Sequence, residues 1–227
     1  MKNNIIRILR SKEYQNIFII LVLILSVRCF ILEPFRIPSG SMQPTILIGD
    51  FIFVNKFLYN LNIPIINKKI KTNKPERGDI IIFKSKNNKN YIKRVIGISD
   101  DKIYYTKKKL YINDKLIKNK YKCKKINFNK NNIIIETHLK KEYLNPKKEY
   151  YIQVYNNLNN PKYTYSNIKV PENAYFVLGD NRDNSEDSRF WGFVEEKNII
   201  GKALIIWMSV DYKIIDIRWN RFLKVIK

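Results

Sequence analysis

The sequence predicts a mainly β protein: an N-terminal transmembrane helix, then a core of antiparallel sheets with an inserted β-subdomain. Three observations carry this. Residues Ile17–Val27 form an almost wholly apolar run (IFIILVLILSV) behind a basic leader. From Glu33 onward, short runs of β-branched and aromatic residues are separated by turn signals. No long amphipathic helix pattern and no internal repeat follow the apolar run. With 227 residues, 45% of them hydrophobic, the chain is long enough to bury a sizeable core.

The apolar run alone is shorter than the ~20 residues a spanning helix needs. Counting over 14–32 restores the length and leaves Arg28 near one end, where its stem can reach the headgroups. Lys2, Arg7, Arg10 and Lys12 make residues 1–13 a positively charged leader, which keeps that end in the cytoplasm and sends the rest outside. A cleaved secretion signal fits less well. Ser26-Val27-Arg28-Cys29 offers neither a small-x-small cleavage site nor a lipid-attachment box. The expectation is a single-pass anchor in contact with the lipid bilayer.

After the anchor, Phe51–Val54, Asp79–Phe83, Tyr91–Ile98 and Ala174–Leu178 read as strands. Gly49-Asp50, Arg77-Gly78-Asp79 and Gly179-Asp180 supply the bounding turns. Ile103–Tyr105 and Lys109–Ile112, followed by Asn113-Asp114, read as a hairpin. Between about 103 and 170 the chain is richer in Lys, Asn and Tyr and poor in dense motifs. The division is therefore a β core from 33–102 and 171–227, carrying an inserted subdomain at 103–170.

The formal net charge is +23, from 43 Lys+Arg against 20 Asp+Glu. Such an excess suits nucleic acid or anionic lipid. Here, however, Lys, Asn and Ile are enriched together across permissive loops such as 84–90 and 118–132, with no basic face or nucleic-acid motif. No nucleic-acid partner is expected. Cys29 and Cys123 give no disulfide framework and have no metal-ligand neighbours, and the chain has one histidine, His138, outside any motif. No metal site and no cofactor are expected.

Close behind the apolar run lies Pro38-Ser39-Gly40-Ser41-Met42-Gln43-Pro44-Thr45, a serine framed by Gly and Pro on a non-helical loop. A serine hydroxyl is a weak nucleophile until a base takes its proton. With no histidine nearby in motif, a lysine can serve if desolvation lets it lose its own proton. Lys93, in the strand-like Tyr91-Ile92-Lys93-Arg94-Val95-Ile96-Gly97, stands in such a setting. Arg94, next in the strand, points to the opposite face. Taken alone, Ser41 reads equally as a turn serine and Lys93 as a surface strand lysine.

Context decides between them. The two segments above, Arg77-Gly78-Asp79-Ile80-Ile81-Ile82-Phe83, and Gly179-Asp180-Asn181-Arg182-Asp183-Asn184-Ser185-Glu186-Asp187-Ser188-Arg189-Phe190-Trp191-Gly192 occur in this order behind an anchor. Together they closely resemble the bacterial type I signal peptidases, from about Arg28 to Trp207. The resemblance implies a serine endopeptidase of the inner membrane, with its catalytic domain on the outer, periplasmic face. It would cut signal peptides from exported preproteins after a small-x-small site. It further implies Ser41 as nucleophile, Lys93 as general base, and the Ser41 N–H with the Ser39 hydroxyl as oxyanion donors. Ser185 would orient the Lys93 amine. Asp187 would pair with Arg189, and Asp180 and Arg182 would help hold the loop under the site. The family uses no metal.

Two departures stand out. Where the family has Gly-Leu-Pro-Gly-Asp after the lysine motif, this chain has Gly97-Ile98-Ser99-Asp100-Asp101, a less preorganised turn. Some members also carry two spans, and the apolar run here matches the second. Small-residue specificity pockets are expected near Phe35–Met42 and the Asp79–Phe83 strand. Phe35, Ile37 and Met42 either dip into the headgroups or pack in the core. The competing reading is an inactive, membrane-tethered basic β-rich binding or envelope protein.

Overall fold

The computed structural model describes residues 12–20, 32–63, 68–71, 73–128, 134–145, 148–155, 165–212 and 214–227. Residues 12–20 are helical, and most of the expected anchor, over 21–31, lies outside the described residues. Among the described residues no helix is long and apolar enough to cross a membrane. The rest is mainly β and antiparallel, with only short helical turns.

A nine-stranded sheet among the described residues frames the molecule. Its order runs Leu32–Arg36, Asp50–Asn55, Ile199–Asp211, Ile80–Lys84, Asn90–Gly97, Ala174–Leu178, Val194–Glu195. Two short strands, Asp216–Ile217 and Lys224–Val225, also pair with Ile199–Asp211. The expected strands at 51–54, 79–83, 91–98 and 174–178 are present within a residue or so. The long strand Ile199–Asp211, which bridges the two halves of the sheet, does not alternate in sequence. Register shifts at Ala203/Ile205 and Ile206/Met208 reset the pleat, so its apolar run loses the period-two signal.

The hairpin expected at 103–112 forms between Lys102–Thr106 and Lys109–Ile112. Its two loop residues, Lys107 and Lys108, both take left-handed φ values, 46° and 61°. That is type I′ geometry without the usual Asn-Gly, at a cost of roughly 1–2 kcal/mol per residue. Lys108 gains contacts there, donating to Tyr155 O and pairing with Asp183. Asn113-Asp114, also left-handed, turns the chain into Lys115–Leu116. Tyr165–Lys169 adds to the Lys102–Thr106 edge, Asn60–Ile63 pairs with Lys68–Lys71, and Asn119–Phe128, Ile134–Asn145 and Lys148–Tyr155 form a three-stranded sheet.

Among the described residues three apolar clusters fill the interior. One joins Ile103, Tyr105, Leu110, Ile152 and Val154 with Ile96, Phe176 and Leu178, so strands of the 103–170 region and of the large sheet share a core. A second holds Ile37, Met42, Ile46, Ile52, Ile80 and Ile92. Ile37 and Met42 are thus packed inside the protein, and Phe35 leans on the same cluster. Removing this surface from water anchors the Ser41 loop from below.

Candidate active site

Ser41 follows Gly40 in a tight turn. Gln43 N donates to Gly40 O at 3.1 Å and Ile46 N to Met42 O at 3.0 Å. Buried Met42 and Ile46 pull this loop onto the core. Ile37 N to Asp50 O and Gly49 N to Ile37 O tie its two ends together.

Lys93 lies in the interior of the large sheet, opposite Ile81 in the Ile80–Lys84 strand. On its other side, the pairing of Ala174–Leu178 ends at Leu178 opposite Arg94, so Lys93 stands where the Gly179–Gly192 segment begins. Only 2% of Lys93 is exposed. Its Nζ donates to Ser41 Oγ at 2.8 Å and to Ile92 O at 3.0 Å. Burial pushes its ammonium down to about 8, against the opposing pull of Asp187, Asp180 and Glu186; Arg189 adds to the depression. Ser39 Oγ stands 3.5 Å from Ser41 Oγ.

The two serines and Lys93 open onto a cleft of about 560 Å³. Pro38, Asn90–Ile92, Ser185, Glu186 and Phe190 line it as well. The Asp79–Phe83 strand, expected to line the specificity pockets, is absent from this lining; its Ile80, Ile81, Ile82 and Phe83 are buried in core clusters.

The Gly179–Gly192 segment wraps beneath the cleft. Gly179 is required by close approach: a Cβ there would come within 2.2 Å of Ser185 Oγ and 2.5 Å of Ser41 O. Ser185 is buried beside it, its hydroxyl without a hydrogen-bond partner among the described residues. Asp187 is fully buried and accepts from Arg189 Nε at 2.8 Å, Arg189 Nη2 at 2.9 Å and Gly179 N at 3.0 Å. It also caps the short helix Ser188–Trp191.

Asp180 and Arg182 find their partners outside the segment. Asp180 takes a two-point contact from Arg94, Nε at 2.8 Å and Nη2 at 2.7 Å. Arg182 is held by Glu142 of the three-stranded sheet, whose Oε2 also accepts from Tyr150 Oη at 2.6 Å. Arg189 Nη2 donates to Arg182 O, linking the Asp187–Arg189 pair to the Glu142–Arg182 pair.

Sequence reasoning assigned no role to Arg94, Asn181, Glu142 or Thr45. Arg94, Asn181 and Thr45 lie inside the quoted motifs, where residue type alone marks them as polar groups needing partners. Glu142 sits in a lysine-rich strand with nothing to distinguish it.

The family model for signal peptidase, peptidase S26, matches residues 11–208. The chain belongs to this family. Signal peptidase I of Buchnera aphidicola from Schizaphis graminum is 43% identical, the match covering 89% of this chain and 75% of that protein. Signal peptidase I of Pseudomonas aeruginosa is 40% identical, over 87% and 72% of the two chains. A solved signal peptidase I from Enterococcus faecalis is 28% identical, covering 57% of this chain and 97% of that one, at a TM-score of 0.35. As a member of peptidase S26 the protein is a peptidase. Its cleft holds a hydroxyl, a desolvated amine and a second hydroxyl within hydrogen-bonding reach, the groups an acyl-transfer reaction needs.

Proposed function

We propose that this family member is a membrane-anchored serine endopeptidase that removes signal peptides from exported preproteins, with Ser41 as nucleophile and Lys93 as general base. The observation that carries the reading is the 2.8 Å contact between Lys93 Nζ and Ser41 Oγ in a site where the lysine is buried. At an ordinary pKa near 10.4 only about one lysine in a few thousand is neutral at pH 7. At about 8, roughly one in ten is. Once Lys93 is neutral, the same contact reverses its sense and Ser41 donates to Nζ.

Ser41 Oγ then attacks the scissile carbonyl as its proton passes to Nζ. The negative charge on the carbonyl oxygen is met by the Ser41 N–H and the Ser39 hydroxyl. The Lys93 ammonium returns the proton to the leaving amine, and the neutral amine next activates water against the acyl-enzyme. Ser185 lies in the same cleft with its hydroxyl not bonded to Nζ in this structure, close enough in the fold to take up that orienting role, and the Asp180, Arg182, Asp187 and Arg189 pairs keep the segment beneath rigid.

The substrate class follows from family membership and from position. Ser41 lies nine residues beyond Leu32, at most ~30 Å if fully extended, near the end of the apolar run over 14–32. In the C-terminal segment, Ile214, Ile215, Trp219, Phe222 and Leu223 are each exposed, and the Trp219 and Phe222 rings meet. Arg218 Nη1 to Ile48 O and Arg221 to Asp50 and Thr45 O tie this apolar surface to the Ser41 turn. Such a surface suits a lipid boundary, which is where a preprotein presents its cleavage site. The placement is a bacterial inner membrane with the catalytic domain outside.

The test is cleavage of a model preprotein by detergent-solubilised protein, comparing wild type with Ser41→Ala and Lys93→Ala. A cut after the small-x-small site by wild type alone supports the assignment. No cut by any of the three, with protein folded and substrate bound, favours the tethered binding protein.

A further inference from the structure

Asn181 grips the Ser41 backbone from two directions. Its own N–H donates to Ser41 O at 3.0 Å, and its side-chain Nδ2 donates to Gly40 O at 3.1 Å. The two carbonyls lie on either side of the Ser41 Cα, so one residue fixes both peptide planes that meet at Ser41. Asn181 is 2% exposed and takes no part in lining the cleft. Its Oδ1 is buried with no hydrogen-bond partner among the described residues. The amide orientation is set by Gly40: the flipped rotamer would face one carbonyl oxygen with another.

The consequence follows from peptide planarity. Gly40 C=O and Ser41 N–H belong to one planar trans unit and point in opposite directions across it. Holding Gly40 O from beneath therefore aims the Ser41 N–H away from Asn181. Gln43 N also donates to Gly40 O, but it belongs to the same turn and moves with it. Asn181 belongs to the opposite segment, which is itself fixed. Gln153 N donates to Asp180 O at 2.8 Å, Asn184 N to Asn181 O at 3.0 Å, and the Asp180 carboxylate is held by Arg94.

We propose that Asn181 is a positioning residue of the reaction, aiming the Ser41 N–H at the oxygen that gains charge in the transition state. This rests on Ser41 being the nucleophile. Asn181 is a brace outside the cleft, so its contribution falls on the transition state and leaves substrate binding alone.

The experiment measures kcat and KM for a model preprotein across pH, with wild type, Asn181→Ala, Asn181→Asp and Ser41→Ala side by side. Asn181→Ala removes the donor without adding charge. Asn181→Asp keeps the shape and the backbone contact but replaces the donor with an acceptor. Both are expected to lower the alkaline plateau of kcat by about 10²–10³-fold, the scale of a lost oxyanion donor, with KM within about twofold. In Asn181→Ala the acid limb should stay where wild type has it, because the burial of Lys93 is untouched; general loosening of the site would move it. A wild-type plateau in both variants overturns the inference while leaving the peptidase reading intact. A shifted limb with a matching rise in KM also overturns it, in favour of a merely structural role. If Asn181→Ala does not fold, the Asn181→Asp plateau decides alone. Failure of wild type itself to cleave sinks the peptidase reading, and this inference with it.

Discussion

Lys93 and Arg94 are consecutive cations on one strand, equally buried, and the fold treats them in opposite ways. Arg94 is 1% exposed, meets Asp180 at two points, donates to Gly78 O at 2.7 Å and lies 3.9 Å from the centre of the Tyr150 ring. Its charge is kept: against the cost of burial, Asp180 holds the guanidinium pKa above its ordinary value. Among the described residues Lys93 receives a hydroxyl and a carbonyl but no carboxylate within hydrogen-bonding distance, and its charge is made expensive. Alternation along a strand puts the two side chains on different faces. Burial by itself is therefore not the signal of a base. Burial without a paired anion is.

The largest effect should come from removing that difference. Lys93→Arg puts a group that never deprotonates where the amine stands, and cleavage of a model preprotein should fall by at least about 10³-fold. A rate within tenfold of wild type would break the comparison outright.

Next comes the other face. Asp180→Asn leaves Arg94 buried without its anion, and denaturant unfolding should show a loss of about 3–5 kcal/mol. A loss below about 1 kcal/mol would mean that Gly78 O and the Tyr150 ring suffice to hold the charge.

Lys93→Met tests the converse. It should be inactive yet more stable than wild type near neutral pH, by roughly 1–3 kcal/mol, because a desolvated ammonium is gone. The sign follows from the shift. Lys93 drops from 10.5 to about 8 on folding, so between those values the unfolded chain binds the extra proton. Wild-type stability from this group rises with pH across that window and is level below it. In Lys93→Met that slope should vanish, and a slope identical to wild type would count against the depressed lysine.

The smallest effect concerns the surroundings. Wild-type cleavage should rise with pH through about 8 and then level off. Glu186, exposed at the cleft, helps hold the proton on Lys93. Glu186→Gln should therefore move the acid limb modestly to lower pH, and a shift to higher pH would show that its field acts elsewhere.

Much of the molecule could be read from residue order. Asp79–Phe83, Tyr91–Ile98 and Ala174–Leu178 were legible because β-branched runs end in glycine or aspartate turns, both local signals. Ile199–Asp211 was not, since its bulges erase the alternation that marks a half-buried strand. Within the site, the motifs brought Ser39, Ser41, Lys93, Ser185, Asp187 and Arg189 to notice. The Asp187–Arg189 pair lies two residues apart and could be guessed from proximity. The partners of Asp180 and Arg182 could not, because Arg94 is 86 residues away and Glu142 is 40 residues away.

Residue type and motif order were enough to point to the family and the β character of the core, and to nominate Ser41 and Lys93 as a pair able to exchange a proton. These depend on chemistry carried by each side chain and on turn and strand preferences that act over a few residues. Three things waited for the chain to close: the depressed ammonium of Lys93, its contact with a serine 52 residues away, and the grip of Asn181 on the Ser41 peptide. A pKa is set by how much water and which charges surround the group, and a hydrogen bond by tenths of an ångström. Both are properties of non-local packing, which linear order does not contain.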